Sequence, residues 1–456
     1  MSQKNLKSKT RGLQVININC AGIDLGSKSH WVCCPAEDGV EQIREFTTDT
    51  RSLTELADFL RERRVTSVAM ESTGVYWIPL FELLTQRDFE VVLTDTRMLS
   101  RVPGRKTDVL DCQWIQQLHS YGLLRGAFRP GDDIVKFRAL ARMKKTLVME
   151  QADWLRRMQK ELDQMNIRVH RAVSDISGVT GMAILHAIAD GERDPVKLAE
   201  LRDSKCRKTK EEIAIELTGT WREEHIDNLK TGLKMYNFLT ERIEEVQKNI
   251  YALLKRILPN AEAANIMAPK LSKKNKAENI VRQGKEPMRQ GLFKISGADL
   301  TRIDGISVDT AEIILSEIGP DLSKFHTEKQ FVSYLRLSPN LAISGGKNVH
   351  SKKKTIICCS RVKEALRMAA VTIRLSRTAL GAYYRSIAFR KGASVAVFAT
   401  ARKLAQYIYR MLRYGNDYID IGLEEYEERC RKKRIRNFKA NAKDLGFAVT
   451  PISVNF

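Results

Sequence analysis

Residues 21–30 read Ala21-Gly22-Ile23-Asp24-Leu25-Gly26-Ser27-Lys28-Ser29-His30, an apolar run that delivers one carboxylate at its end and then turns on glycine. Two later stretches repeat the device. Val65-Thr66-Ser67-Val68-Ala69-Met70-Glu71 is a second apolar strand ending in an acid, followed by Ser72-Thr73-Gly74. Arg105-Lys106-Thr107-Asp108-Val109-Leu110-Asp111 is a basic loop opening an amphipathic run, and acids three apart on a helix share one face. The four form a D, E, D, D constellation: Asp24, Glu71, Asp108 and Asp111.

Four gathered acids need a reason. Two like charges about 4 Å apart repel by about 1 kcal/mol in water and about 4 kcal/mol at an effective dielectric of 20. A divalent cation removes that penalty. Magnesium takes oxygen ligands and is commonly held by a few carboxylates together with substrate phosphate oxygens. A pair of such ions about 4 Å apart activates an attacking oxygen and stabilises a leaving one in phosphoryl transfer. Mg²⁺ is therefore the expected cofactor, with Mn²⁺ as the substitute. For any one acid alone, a turn or helix-cap role is the simpler account.

The elements around these acids predict a fold. Strands are expected at Cys20–Leu25, His30–Pro35 and Glu41–Thr47, a helix from about Ser52 to Arg63, and then strand, helix, strand at Val65–Glu71, Trp77–Gln86 and Glu90–Thr94. A three-strand meander followed by alternating helix and strand is the order of an RNase H-like domain, in which the first strand, the fourth strand and a later helix converge. Asp95 ends a strand and is the reserve ligand, whereas His30 reads as a strand residue.

The chain has 456 residues, enough for two or three domains, and carries a net charge of +22, which points to an extended anionic partner such as nucleic acid. Its eight cysteines show no Cys-x-x-Cys spacing and read as reduced, mostly buried thiols of a cytosolic protein without a zinc site. No apolar run reaches the length of a membrane span, and the basic, polar N-terminus lacks the apolar segment of an export signal.

Beyond Pro130 the pattern becomes long helix. Phe137, Leu140, Leu147, Leu155, Met158, Leu162 and Met165 recur near a 3.5-residue period, and Leu229, Tyr236, Ile243, Ile250 and Ile257 fall seven apart, with Leu239, Val246 and Leu253 in the complementary positions. These heptads suit pairing either within one chain or between chains. Residues 268–294 are rich in Lys, Asn, Gln and Gly and read as a flexible basic linker that orders on nucleic acid. Ile303-Asp304-Gly305-Ile306-Ser307, leading into Val308–Gly319, has the form of a helix-hairpin-helix, whose helix-start N–H groups suit a DNA phosphate. Ser344-Gly345-Gly346-Lys347 sets an accessible hydroxyl on a permissive backbone beside a cation, as a nucleophile requires. A plain loop serine is the alternative. Arg429, Arg431, Lys432, Lys433, Arg434 and Arg436 form a terminal basic run suited to RNA, DNA or solvent.

Taken together, Gly22-Ile23-Asp24-Leu25-Gly26, Glu71-Ser72-Thr73-Gly74, Lys106-Thr107-Asp108 with Asp111, Leu337 and Pro339 before Ser344-Gly345-Gly346-Lys347, and Ala401-Arg402-Lys403-Leu404-Ala405 resemble the IS110/IS1111-type DEDD transposases, bridge-RNA-guided recombinases of bacterial insertion sequences. The resemblance runs from about Val15 to Ile419. It departs from the family at Arg336, where a glycine is usual, and at Ser351–Ile356, where a Ser-Lys-x-Gly-Asn pattern is usual.

The resemblance implies an α/β plus α chain. Its parts are a RuvC-like domain with a basic arm (1–130), a coiled-coil region with an insertion at about 176–224 (131–267), the basic linker (268–294), a mainly helical transposase domain (295–419) and a basic tail (420–456). It implies a metal-dependent site at Asp24, Glu71, Asp108 and Asp111, with Ser344 forming a covalent serine–DNA intermediate. Implied partners are donor and target duplex DNA, a structured guide RNA, and further copies of the chain as a dimer assembling to a tetramer, in the bacterial cytoplasm at the nucleoid. Lys28, Arg105, Lys106, Gly305, Lys347, Lys352, Lys353, Arg402 and Lys403 are the candidate nucleic-acid contacts. Two other readings stand beside it: a RuvC-like Holliday-junction nuclease that does not need Ser344, and an actin-like ATPase using the turn at Asp24–Ser27.

Overall fold

The computed structural model describes residues 14–35, 41–72, 74–94, 108–124, 126–258, 265–271, 273–338, 342–344, 347–349, 360–415 and 421–450, with 108–110, 274, 342–344 and 347–349 described in backbone only. The chain divides into two compact units, residues 1–129 and 130–456.

The first unit is built on a five-stranded sheet. Its strands are β1 (Cys20–Leu25), β2 (Ser29–Cys34), β3 (Gln42–Thr47), β4 (Ser67–Glu71) and β5 (Glu90–Thr94), in the order β3-β2-β1-β4-β5. β1 and β2, and β2 and β3, pair antiparallel, while β1–β4 and β4–β5 are parallel. This is the meander followed by alternation that the sequence predicts, and it is consistent with an RNase H-like domain. The central strands β1 and β4 are almost wholly buried, as strands covered on both faces must be, whereas edge strand β3 buries only Phe46 fully.

Helix α1 (Thr50–Glu62) starts where the Asp49 carboxylate accepts the Ser52 N–H at 3.0 Å. It buries Leu53, Leu56, Ala57, Phe59 and Leu60 in one core with Ile23, Leu25, Val32, Phe46 and Met70, to which α2 (Trp77–Gln86) adds Leu80 and Leu84. Helix α3 (Asp108–Ser120) crosses β1, β2 and β4. Its C-terminal end lies at the starts of β1 and β4, where Gln116 Nε2 donates to the Cys20 carbonyl at 3.4 Å and His119 Nε2 bonds Ser67 Oγ at 2.5 Å. Its N-terminal end therefore lies at the strand ends that carry the acids.

In the second unit, α4 (Asp132–Gln164) packs along α9 (Glu223–Arg256). Contacts run in opposite directions along the two helices. Arg256 pairs with Asp133 at 3.2 Å, Lys144 donates to Gln247 at 2.8 Å, Gln151 to Thr240 at 2.7 Å, and His225 meets Glu161 at 2.7 Å. The pair is thus antiparallel and lies within one chain, with Leu229, Leu239, Val246, Ile250 and Leu253 buried along the seam. Between these helices in sequence come α5 (Val169–Ala172), α6 (Val179–Ala189), α7 (Pro195–Glu200) and α8 (Lys210–Glu216). They close the end formed by Met158, Leu162 and Leu229 with an apolar cluster of their own, including Ile184, Leu185, Leu198 and Ile213.

Residues 268–294 correct the expectation of a flexible linker. They contain α10 (Lys274–Arg282) and begin α11 (Glu286–Ser296), which buries Met288, Leu292 and Ile295 at one helical face. Arg289, only 6% exposed, donates to the buried Asp299 carboxylate at 2.6 Å. Lys-rich composition concealed an i, i+4, i+7 apolar stripe. A 3₁₀ turn (Leu300–Arg302) leads to α12 (Val308–Ile318), which docks on α4 through Lys144–Glu312 at 2.6 Å and Arg142–Glu317 at 2.7 Å. Then follow α13 (Glu328–Tyr334), the hairpin β6 (Ala342–Ser344) and β7 (Lys347–Val349), α14 (Arg361–Ile373), α15 (Ala379–Lys391), α16 (Ala393–Tyr414) and α17 (Leu423–Asp444). The α16 residue Tyr409 is buried, and its hydroxyl donates to the Phe325 carbonyl at 2.7 Å. Among the described residues no helix is long and apolar enough to cross a membrane.

Candidate functional site

Asp24 and Glu71 are brought together by strand register. Ile23 on β1 faces Met70 on the parallel strand β4, so the next residue along each strand is an acid, and both are half-buried. The end of β4 is fixed by Ser72, whose N–H and hydroxyl both donate to the Thr94 carbonyl, at 3.1 and 3.0 Å. Asp111 stands in the first turn of α3, also half-buried. That helix can lie so close because residue 22 is glycine: a Cβ there would stand 2.1 Å from the Gln116 nitrogen and 2.4 Å from the Cys112 carbonyl oxygen. Cys112, buried at this interface, has its thiol pushed up to about 12, first by burial and then by the Asp24 carboxylate, with Asp111 adding to it. One neutral side chain thus feels both acids.

The donor set consists of carboxylate oxygens at one end of the sheet, hard ligands that suit a divalent cation such as magnesium. Among the described residues no three His, Cys, Asp or Glu side chains cluster as metal ligands, and the side chain of Asp108, the first residue of α3, is outside them. Asp95, Arg105, Lys106, Lys352 and Lys353 also lie outside the described residues. His30 is a buried strand residue facing Phe46 across β2 and β3, and burial lowers its pKa. Lys28 is exposed in the turn between β1 and β2.

In the second unit Ser344 ends β6 in register with Lys347 on β7. Ahead of it, Arg336 has φ +54°, in the left-handed region that favours glycine. Gly305 has φ +79°, and a Cβ on it would stand 2.6 Å from Ile373, so the turn needs glycine for both conformation and space. Arg402 and Lys403 are half-buried on α16, with Lys403 Nζ 5.2 Å from the Tyr407 ring centre.

Sequence reasoning missed Lys276. Its ammonium donates to the carbonyls of Thr301 at 2.5 Å and Ile303 at 3.1 Å, gripping the entry to the Gly305 turn. Burial lowers its pKa to about 8, against the pull of Asp304. It borders a cleft of about 610 Å³ shared with Lys273, Lys285 and Ser307. The Lys-rich run was visible in the sequence, but its helical register was not.

Comparison with protein families now decides the assignment. A model of the IS110 DEDD transposases, described as a transposase, matches residues 21–167, and one described as the transposase IS116/IS110/IS902 family matches residues 297–385. This chain belongs to the IS110 family of transposases. The two matches together span just over half of its length and fall in both units. No curated protein matches the chain. As an IS110-family transposase it is a DNA recombinase enzyme, and the DEDD class implies dependence on a divalent metal.

Proposed function

We propose that this IS110-family transposase cuts and rejoins donor and target DNA through a serine–DNA covalent intermediate, with Asp24, Glu71, Asp108 and Asp111 as the acids of a RuvC-like site. The observation that carries the reading is the parallel register of β1 and β4, which sets Asp24 beside Glu71 at the end of the sheet where α3 begins. These carboxylates would hold Mg²⁺, or Mn²⁺ in its place, which when bound supplies Lewis-acid assistance to phosphoryl transfer.

Ser344 is the nucleophile of the proposal. Its oxygen attacks a phosphodiester phosphorus, one P–O bond forms as the bond to the departing 3′-oxygen breaks, and that oxygen leaves as a hydroxyl. A 3′-hydroxyl from another strand then attacks the phosphoserine, restoring the serine and exchanging the strands. No nucleotide cofactor is needed, because the ester keeps the bond. Ser344 and the acids belong to different units of the chain, and the site is assembled from two protomers of a dimer or tetramer. Guide RNA pairing selects the DNA sites, while cations such as Lys28, Lys106, Lys347, Lys352 and Arg402 hold backbones. The helix-hairpin-helix at Gly305 is a further backbone contact, and the enzyme works in the bacterial cytoplasm beside the nucleoid.

The test is to incubate purified protein with the element's non-coding RNA, Mg²⁺ and end-labelled donor and target DNA, and to look for a protease-sensitive protein–DNA adduct. The adduct is expected with the wild type and absent in Ser344→Ala and Asp24→Ala. Cleavage that leaves no adduct and survives Ser344→Ala would sink the proposal and leave a metal-dependent nuclease.

A further inference from the structure

The C-terminal helix α17 is at odds with the economy of the rest of the unit. It runs for 22 residues, leans on α15, and buries none of its side chains. A helix that buries no side chain fully relies on local i, i+4 pairs such as Glu425–Arg429 and Glu428–Lys432. Its charges are segregated along its length. Glu424, Glu425, Glu427 and Glu428 crowd the first turns, favourable at a helix start. Residues 431–444 carry seven cations and a single acid, Asp444.

The cations are also sorted around the helix. Lys432, Arg436, Lys439 and Lys443 are spaced four, three and four apart, so they lie on one face, and all four are exposed. Lys432 reaches Glu428 at 3.7 Å, an exposed pair of little strength. The stripe extends over about 16 Å at 1.5 Å per residue, the rise of about five base pairs of duplex. The basic face carries no aromatic ring on which an unpaired base would stack. Ile435, Phe438 and Leu445 lie on a different face, and Arg431 and Arg434 interrupt it, which breaks the continuous apolar surface an interfacial membrane helix needs.

We infer that the Lys432–Arg436–Lys439–Lys443 face of α17 is a docking surface for the phosphate backbone of double-stranded DNA, engaged without regard to base sequence. The choice of DNA rests on the transposase assignment, and the stripe's length and lack of stacking groups fit duplex phosphates. The surface adds affinity for substrate DNA that is steeply salt-dependent.

The experiment measures binding of the full-length protein to a fluorescent 30-base-pair duplex of arbitrary sequence between 50 and 200 mM salt. Replacing the four cations by glutamine, which keeps helix propensity, is expected to reduce the slope of log K against log salt by about 3 to 4, given about 0.9 per phosphate contact. Replacing Lys432, Lys439 and Lys443 by arginine is expected to leave the slope as in the wild type. The pair Arg431→Gln with Arg434→Gln, on the other face, is expected to change it by less than about 1. An unchanged slope in the fourfold variant overturns the inference. So does a loss of equal size per charge in the Arg431/Arg434 variant, which would reduce the effect to net charge. A loss confined to a hairpin RNA of the same length, with DNA binding intact, overturns it in favour of an RNA surface. Adduct formation reads a different quantity, so the inference and the catalytic proposal fail separately.

Discussion

The Gln116 backbone nitrogen occupies space that a side chain on Gly22 would need: a Cβ on Gly22 would lie 2.1 Å from it. This contact seats α3 on β1 and carries Asp111 toward the end of the strand that holds Asp24. Backbone atoms of a packed helix cannot move aside as a side-chain tip can. Gly22→Ala is expected to cost about 1–3 kcal/mol, the range of overpacked cores, seen as a lower urea midpoint, and to depress strand cleavage together with stability. A variant within about 0.5 kcal/mol of wild type would mean that α3 is not held against β1 here.

Acid should loosen the first unit through its buried histidines. His119, bonded to Ser67 and facing Glu90, has its pKa lowered chiefly by burial, with Glu90 opposing, and burial also lowers that of His30. An unfolded histidine titrates near 6.5. Below that pH the unfolded chain takes up protons that the folded chain refuses, so stability is present in full above about pH 6.5 and falls as the pH drops further. Thermal melts at pH 7.5 and 5.5 are expected to show a smaller acid-induced drop in His119→Gln than in the wild type. An equal drop in both would remove His119 from the account.

Lys276 acts with the same sign in the alkaline range. Burial lowers its pKa from the ordinary lysine range to about 8, so from about pH 8 upward the unfolded state binds more protons and this group's contribution to stability rises with pH. Asp304, Lys273, Asp299 and Arg289 are the charges that act on it. Urea midpoints measured from pH 7.5 to 10 should climb less, or fall more, in Lys276→Met than in the wild type. Identical profiles would show that the lysine titrates as an exposed one does.

Arg336 has a φ of +54°, in the left-handed region that favours glycine. A left-handed L-residue costs about 1–2 kcal/mol, partly offset by the freedom glycine adds to the unfolded chain. Arg336→Gly is expected to stabilise the protein by up to about 1 kcal/mol, measured by denaturant unfolding, while alanine or valine there gains nothing.

The sheet was legible in the sequence because β1, β4 and β5 each carry a short apolar run that meets a polar residue at or near its end. The acids of β1 and β4 follow from that order alone, since a parallel pair aligned at Ile23 and Met70 must bring Asp24 and Glu71 side by side. The pairing of α4 with α9 was not legible, because heptads state that a seam exists without stating which helix fills it. The stretch at 268–294 misled for a different reason. Three apolar residues, Met288, Leu292 and Ile295, suffice to fix a helix once Arg289 finds Asp299, and composition averages them away. The grip of Lys276 on two carbonyls was hidden because backbone acceptors leave no mark in a sequence.

The antiparallel pair α4 and α9 is in effect a ruler. At 1.5 Å per residue its 33- and 34-residue helices make a strut of roughly 50 Å, with the α6–α8 cluster at one end and α12 docked toward the other. Its polar rungs tie residue to residue along the whole length, so the separation of those two ends is a number written into the chain. Evolution can alter it only in steps, by adding or removing matched turns from both helices at once.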